Sequence, residues 1–173
     1  MPYSDLQSRA FTQIAYMDLE EKYIDYCKAH RTDSAPLNEL ISTSECEKLK
    51  KLGITDAEIN SWKISGVHNT NAQNGFYACI IETSSGEAAV GFRGSESMDD
   101  LSNVTNDWVG ADIGLVNSTC TNQQEEVERF LQKYQEKLNA YDSVAMAGHS
   151  LGGNLTEYAT IVSYKYGIED NIK

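Results

Sequence analysis

The stretch Val144 to Asn154, VAMAGHSLGGN, constrains the fold more than any other part of the sequence. An apolar, β-prone run from Val144 to Ala147 breaks at Gly148, and a helical pattern follows at once. Three glycines surround a single serine, Ser150. A strand that turns this sharply into a helix predicts a place where backbone segments approach too closely for side chains.

The size and charge of the chain limit its fold and partners. With 173 residues, 40% of them apolar, it can bury one core. Its 14 basic and 26 acidic residues give a net charge of -12, which repels nucleic acid and anionic membranes. No run approaches the ~20 apolar residues of a membrane span, and the N-terminus lacks the pattern of a signal peptide. We expect a cytoplasmic protein without a nucleic-acid partner, the alternative being secretion without a signal peptide.

Helical patterns dominate residues 1–62. A capping box at Ser4 begins a first helix that we predict to run to about Ala29, and a second capping box at Thr55 begins a short helix. Between them, Pro36 fits the first turn of a helix that Gly53 ends. This part of the chain is therefore predicted to be a helical N-terminal segment.

Residues 63–173 carry β-rich runs and two further helices. Three short runs between Lys63 and Gly94 predict neighbouring strands, and a cap at Thr121 begins a helix that ends at Asn139. A strand from Ser143 to Ala147 and a helix that Gly167 ends complete the pattern. The order helix, strand, turn, helix is typical of a parallel sheet.

The motif G-x-S-x-G lies between that strand and helix, as in a nucleophile elbow. The turn would present the Ser150 hydroxyl to a base, and the backbone N–H of Leu151 could stabilise an oxyanion. The alternative is a glycine-rich phosphate loop. That alternative needs a P-loop lysine or G-x-G-x-x-G spacing, and the sequence has neither.

Two further segments, VGFRGSES and NDWVGADIG, combine with the elbow in a family pattern. Over about residues 76–166 the chain resembles the class 3 lipases of the α/β-hydrolase fold and their bacterial lipase-like relatives. The resemblance implies Ser150 as nucleophile, with Ser95 and Leu151 as oxyanion donors. It implies a mostly parallel sheet of α/β-hydrolase type, preceded by the helical segment, in one partial domain over residues 1–173.

The function implied is a serine lipase or esterase that acts on acyl esters, in particular acyl lipids, with no cofactor and no metal. A calcium site at Asp99, Asp100, Asp107 and Asp112 is the weaker interpretation, because the EF-hand spacing is missing. The four cysteines are spread singly, which predicts reduced thiols.

The departure from the family pattern is the missing base. No histidine follows Ser150, although the fold orders its triad as Ser, Asp, His. We expect the chain to be the N-terminal part of a longer hydrolase, nearly inert alone, truncated after the helix that follows Ser150. It would either self-associate or bind its C-terminal half. The alternative is a non-catalytic, hydrolase-like protein interaction module.

Overall fold

A computed structural model describes residues 3–84, 86–94 and 119–172. Its centre is a five-stranded sheet in which the strands follow chain order. The strands are β1 (Ala35–Pro36), β2 (Lys63–Thr70), β3 (Phe76–Ser84), β4 (Glu87–Phe92) and β5 (Ser143–Gly148). Strands β1 to β4 pair antiparallel, and only β5 pairs parallel, with β4.

The prediction of a mostly parallel sheet is therefore wrong, and the chain has a mixed α/β fold. Strands β2, β3 and β4 are joined by short connections, and a chain that reverses in a few residues pairs antiparallel. A parallel pair needs a long crossover, which this chain has only between β4 and β5.

Helices cover both faces of the sheet. The first face carries α1 (Asp5–Ala15), α2 (Glu20–His30), α3 (Leu37–Leu40), α4 (Thr43–Lys51) and α5 (Asp56–Ser61). The second carries α7 (Thr119–Asn139) and α8 (Leu151–Val162), while α6 (Asn71–Asn74) connects β2 to β3. Two 3₁₀ turns, Ser163–Tyr166 and Glu169–Asn171, follow α8.

The two apolar cores meet at β3. Alternate side chains of this strand are fully buried on opposite faces, Tyr77 and Cys79 in one core and Phe76 and Ala78 in the other. None of the described helices combines the length and hydropathy that a bilayer crossing needs.

Several helix boundaries match the sequence, and two do not. The capping boxes at Ser4 and Thr55 are confirmed. The first predicted helix is broken, because Asp18 adopts a positive φ of 45° between α1 and α2. Helix α7 begins at Thr119, two residues before the predicted cap at Thr121.

Candidate functional site

A sharp turn between β5 and α8 holds Ser150 in an unusual backbone conformation. Its φ of 55° and ψ of -125° lie in a region that side chains disfavour. A residue held there costs ~1–3 kcal/mol and persists only where its surroundings fix it. The elbow geometry that the glycine pattern predicts is therefore present.

Three glycines fix that turn against the end of β4. A Cβ on Gly152 would lie 2.5 Å from the carbonyl oxygen of Phe92, and one on Gly94 would lie 2.7 Å from that of His149. A Cβ on Gly148 would meet the backbone of Gly152. Glycine is required at these positions because the facing groups are backbone atoms that cannot move aside.

The predicted catalytic residues are only partly described. Ser150 is half-buried at the elbow, and Leu151 begins α8. Ser95 and the four aspartates of the calcium interpretation lie outside the described residues. The roles of Ser150, Ser95 and Leu151 in acyl transfer stay predictions.

Two backbone carbonyls of the elbow accept hydrogen bonds from the first turn of α8. The carbonyl of Ser150 accepts a hydrogen bond from the N–H of Gly153 at 2.9 Å, and that of His149 accepts one from Gly152 at 2.9 Å. Within the described parts of the chain, the Ser150 hydroxyl has no hydrogen-bond partner. A serine hydroxyl without a base is a weak nucleophile.

Two of the three histidines are engaged away from the elbow. His30 stacks on Tyr26 with ring centroids 4.0 Å apart. The Nε2 of His68 lies 2.8 Å from the carboxylate of Glu126 on α7. His68 is in register with Gly148 through β3 and β4, but three strand spacings, roughly 14 Å, separate them.

The His68–Glu126 pair was not predicted from the sequence. Glu126 is only 4% exposed, and its carboxylate also contacts Arg129 and the amide of Asn74. Burial alone would raise the pKa of Glu126, but the hydrogen bond from His68 and the charge of Arg129 bring that pKa below its ordinary value of 4.5. No local pattern joins residues this far apart along the chain.

The β2 side of the sheet is closed by side chains of α7. The hydroxyl of Tyr134 accepts from the N–H of Val67 at 3.1 Å and donates to its carbonyl at 2.9 Å. Lys137 donates to the carbonyl of Ser65 at 3.0 Å. A Cβ on Gly66 would lie 2.8 Å from the Tyr134 ring, so this glycine lets the ring reach the strand.

The outer edge of β5, the side away from β4, is differently covered. Among the described residues, only Ile172 pairs with it, through a parallel bridge to Val144. Farther along the strand, Ala145 and Met146 are half-buried. Beyond Val144, no other described strand pairs with this edge of β5.

Exposed side chains lie near the end of α8 and just after it. The hydroxyl of Thr160 on α8 lies 3.8 Å from the sulfur of Met146. Ile161 is 65% exposed, and Tyr164, one turn after Thr160, is 63% exposed. We call Thr160, Ile161 and Tyr164 the α8 patch.

No group of described His, Cys, Asp and Glu side chains could hold a metal ion. The fold and the site define a mixed α/β protein with a hydrolase-like elbow at the end of β5. A family model described as Mbeg1-like matches residues 52–173, more than half of the chain. The chain belongs to the Mbeg1-like family.

Two solved structures from Rhizomucor miehei are similar to the chain. A lipase propeptide complex in a deletion-mutant form is 16% identical, with a TM-score of 0.49, covering 99% of this chain and 51% of that one. The native complex is 16% identical, with a TM-score of 0.45, covering 96% and 50%. The chain spans about half the length of either, and similarity at this level carries no functional conclusion. No curated protein matches significantly.

These findings correct two predictions. The family is Mbeg1-like and not the class 3 lipases. The assignment as a lipase or esterase enzyme is wrong on the same finding, and the described residues place no base on the Ser150 hydroxyl. The predicted acyl ester substrate depended on that assignment and has no separate support.

Proposed function

We propose that the chain is a non-catalytic, hydrolase-like interaction module that binds an extended segment of a partner protein along the outer edge of β5. The observation that carries this proposal is the unequal treatment of the two sides of the sheet. Tyr134 satisfies the N–H and C=O of Val67 on β2, and Lys137 satisfies the carbonyl of Ser65. On β5, Ile172 pairs with Val144 alone among the described residues.

An unpaired strand edge favours strand addition because its N–H and C=O groups already point in the direction of a new strand. The elbow strengthens this role mechanically. Gly152 and Gly94 lock the end of β5 to β4, so the edge is presented by rigid backbone. A rigid edge loses little conformational freedom when a partner binds.

The test is amide hydrogen exchange of the 173-residue chain with a synthetic peptide, Lys-Val-Thr-Val-Thr-Val-Lys. We expect the peptide to slow exchange in Ala145–Ala147 and to leave β2 unchanged. The control peptide replaces the central valine with proline, which removes one N–H donor, and it should bind more weakly. Unchanged exchange in Ala145–Ala147 at saturating peptide, or equal binding of both peptides, would refute the proposal.

A further inference from the structure

We infer that Asn74 is a modification site, at which spontaneous deamidation follows local opening of α6 and the product destabilises the fold. This inference goes beyond the proposed function and does not depend on it. Asn74 and Gly75 form the only Asn-Gly pair in the sequence. Such a pair is especially prone to deamidation, because glycine has no side chain to shield its backbone nitrogen from the asparagine amide.

The reaction at this pair needs only water. The backbone nitrogen of Gly75 attacks Cγ of Asn74 and loses its proton to solvent, while the side-chain amide leaves as ammonia. Water then opens the resulting cyclic imide at one of its two carbonyls, which leaves either an aspartate or an isoaspartate. Each conversion consumes a water and releases an ammonia, and nothing is oxidised or reduced.

The fold requires the reactive glycine. Gly75 ends α6 with a φ of 78°, in the left-handed region that side chains disfavour. A Cβ at this position would also lie 3.0 Å from the amide nitrogen of the buried Gln123. The labile pair is therefore a consequence of the tight connection between β2 and β3.

The folded state restrains both reacting groups. The N–H of Gly75 donates to the carbonyl of Asn71 at 3.0 Å. The Oδ1 of Asn74 accepts from the Thr70 hydroxyl at 2.8 Å and from the Phe76 N–H at 3.1 Å. The attack needs the nitrogen to give up its hydrogen bond and the asparagine side chain to turn, so it requires α6 to open.

The product places a carboxylate against a buried one. The Nδ2 of Asn74 donates to Oε1 of the buried Glu126 at 3.4 Å. After deamidation an aspartate oxygen faces that oxygen, and like charges this close repel each other. His68 and Arg129 are already paired with Glu126. Deamidation therefore weakens the contact between α6 and α7, and the converted chain opens more easily than the original.

The first experiment follows deamidation at mildly alkaline pH by peptide mapping and mass spectrometry. We expect the native chain to convert Asn74 at least about tenfold more slowly than the chain unfolded in guanidinium chloride, because native conversion waits for α6 to open. Thr70→Val removes one hydrogen bond to Asn74 and should speed its native conversion about threefold to tenfold. Asn60, exposed on α5, is the internal reference and should keep its rate.

The matched control is Thr160→Val, which removes an exposed hydroxyl of α8 and should leave the conversion of Asn74 unchanged. Equal conversion of Asn74 in the native and the unfolded chain would overturn the inference. So would equal rates in Thr70→Val and Thr160→Val. An acceleration of both Asn74 and Asn60 in Thr70→Val would show that global unfolding, and not opening of α6, exposes the site.

The second experiment measures the effect of the product. Asn74→Asp should raise the equilibrium constant for unfolding about tenfold near neutral pH, whereas Asn60→Asp on the exposed surface should change it little. Denaturant unfolding of the two variants gives the comparison. Equal stability of both would overturn the destabilising role given to the carboxylate beside Glu126.

Discussion

Ser150 shows how much of this structure is decided by single residues. Its φ of 55° and ψ of -125° suit glycine, yet a serine occupies the position. The folded protein tolerates the conformational free-energy cost at Ser150 because Gly148 and Gly152 let the turn pack against β4 without a steric clash. The strain is local, so it can be relieved by one substitution.

We expect Ser150→Gly to raise the free energy of unfolding by about 1 kcal/mol, because glycine adopts this backbone conformation without steric cost. The matched control is Ser143→Gly at the start of β5, where the loss of a side chain should cost about 0.5–1 kcal/mol. Urea unfolding of the two variants measures the difference. A destabilisation of the same size in both would show that the elbow stores no strain.

Helix α7 contacts the outer side of β2 and carries a buried carboxylate, Glu126. Tyr134 hydrogen-bonds to the backbone of Val67 on β2, and Lys137 donates to the carbonyl of Ser65. The carboxylate of Glu126 lies within hydrogen-bond distance of the His68 ring. The pKa of Glu126 lies below its ordinary value, so the folded state favours the charged carboxylate. Its stabilisation is complete above about pH 4.5 and is lost as the pH falls through the lowered pKa.

We therefore expect Glu126→Gln to be less stable than the wild type near neutral pH, and this difference to shrink as the pH falls below about 4.5. Urea unfolding at a series of pH values measures it. Glu21→Gln on the exposed surface of α2 serves as the control and should stay close to the wild type throughout. A difference that is constant with pH would contradict the role given to the ionised Glu126.

The described residues form three layers, with helices on both faces of a five-stranded sheet. Its helices bury both faces of β3, so the backbone edge of β5 is held on a well-packed frame. The described residues hold no base on the Ser150 hydroxyl and no metal cluster. The proposed binding role relies on this frame.

If the chain is the proposed non-catalytic module, it should not react with an active-site-directed fluorophosphonate, because no side chain among the described residues hydrogen-bonds to the Ser150 hydroxyl to activate it. Intact-mass spectrometry should show the unmodified chain after incubation, while a serine hydrolase treated in parallel gains the adduct. Stoichiometric labelling that Ser150→Ala abolishes would contradict this prediction.

Local signals in the sequence predicted local structure well. The boxes at Ser4 and Thr55 and the turn at Ser150 depend on residues a few positions apart, and all three are present. Strand direction was missed because short turns, not helix–strand alternation, set the pairing of β2, β3 and β4. The His68–Glu126 pair was missed because only the folded chain brings the two residues together.

The phenol of Tyr134 takes the place of a neighbouring strand for Val67. A sheet that adds strands at both sides can propagate into a filament, because each added chain offers a new edge to the next. At Val67, next to the two-residue strand β1, the outer side of β2 is occupied by a side chain that accepts no further backbone. Strand addition at this position is blocked, which disfavours the open-ended growth of fibres through β2.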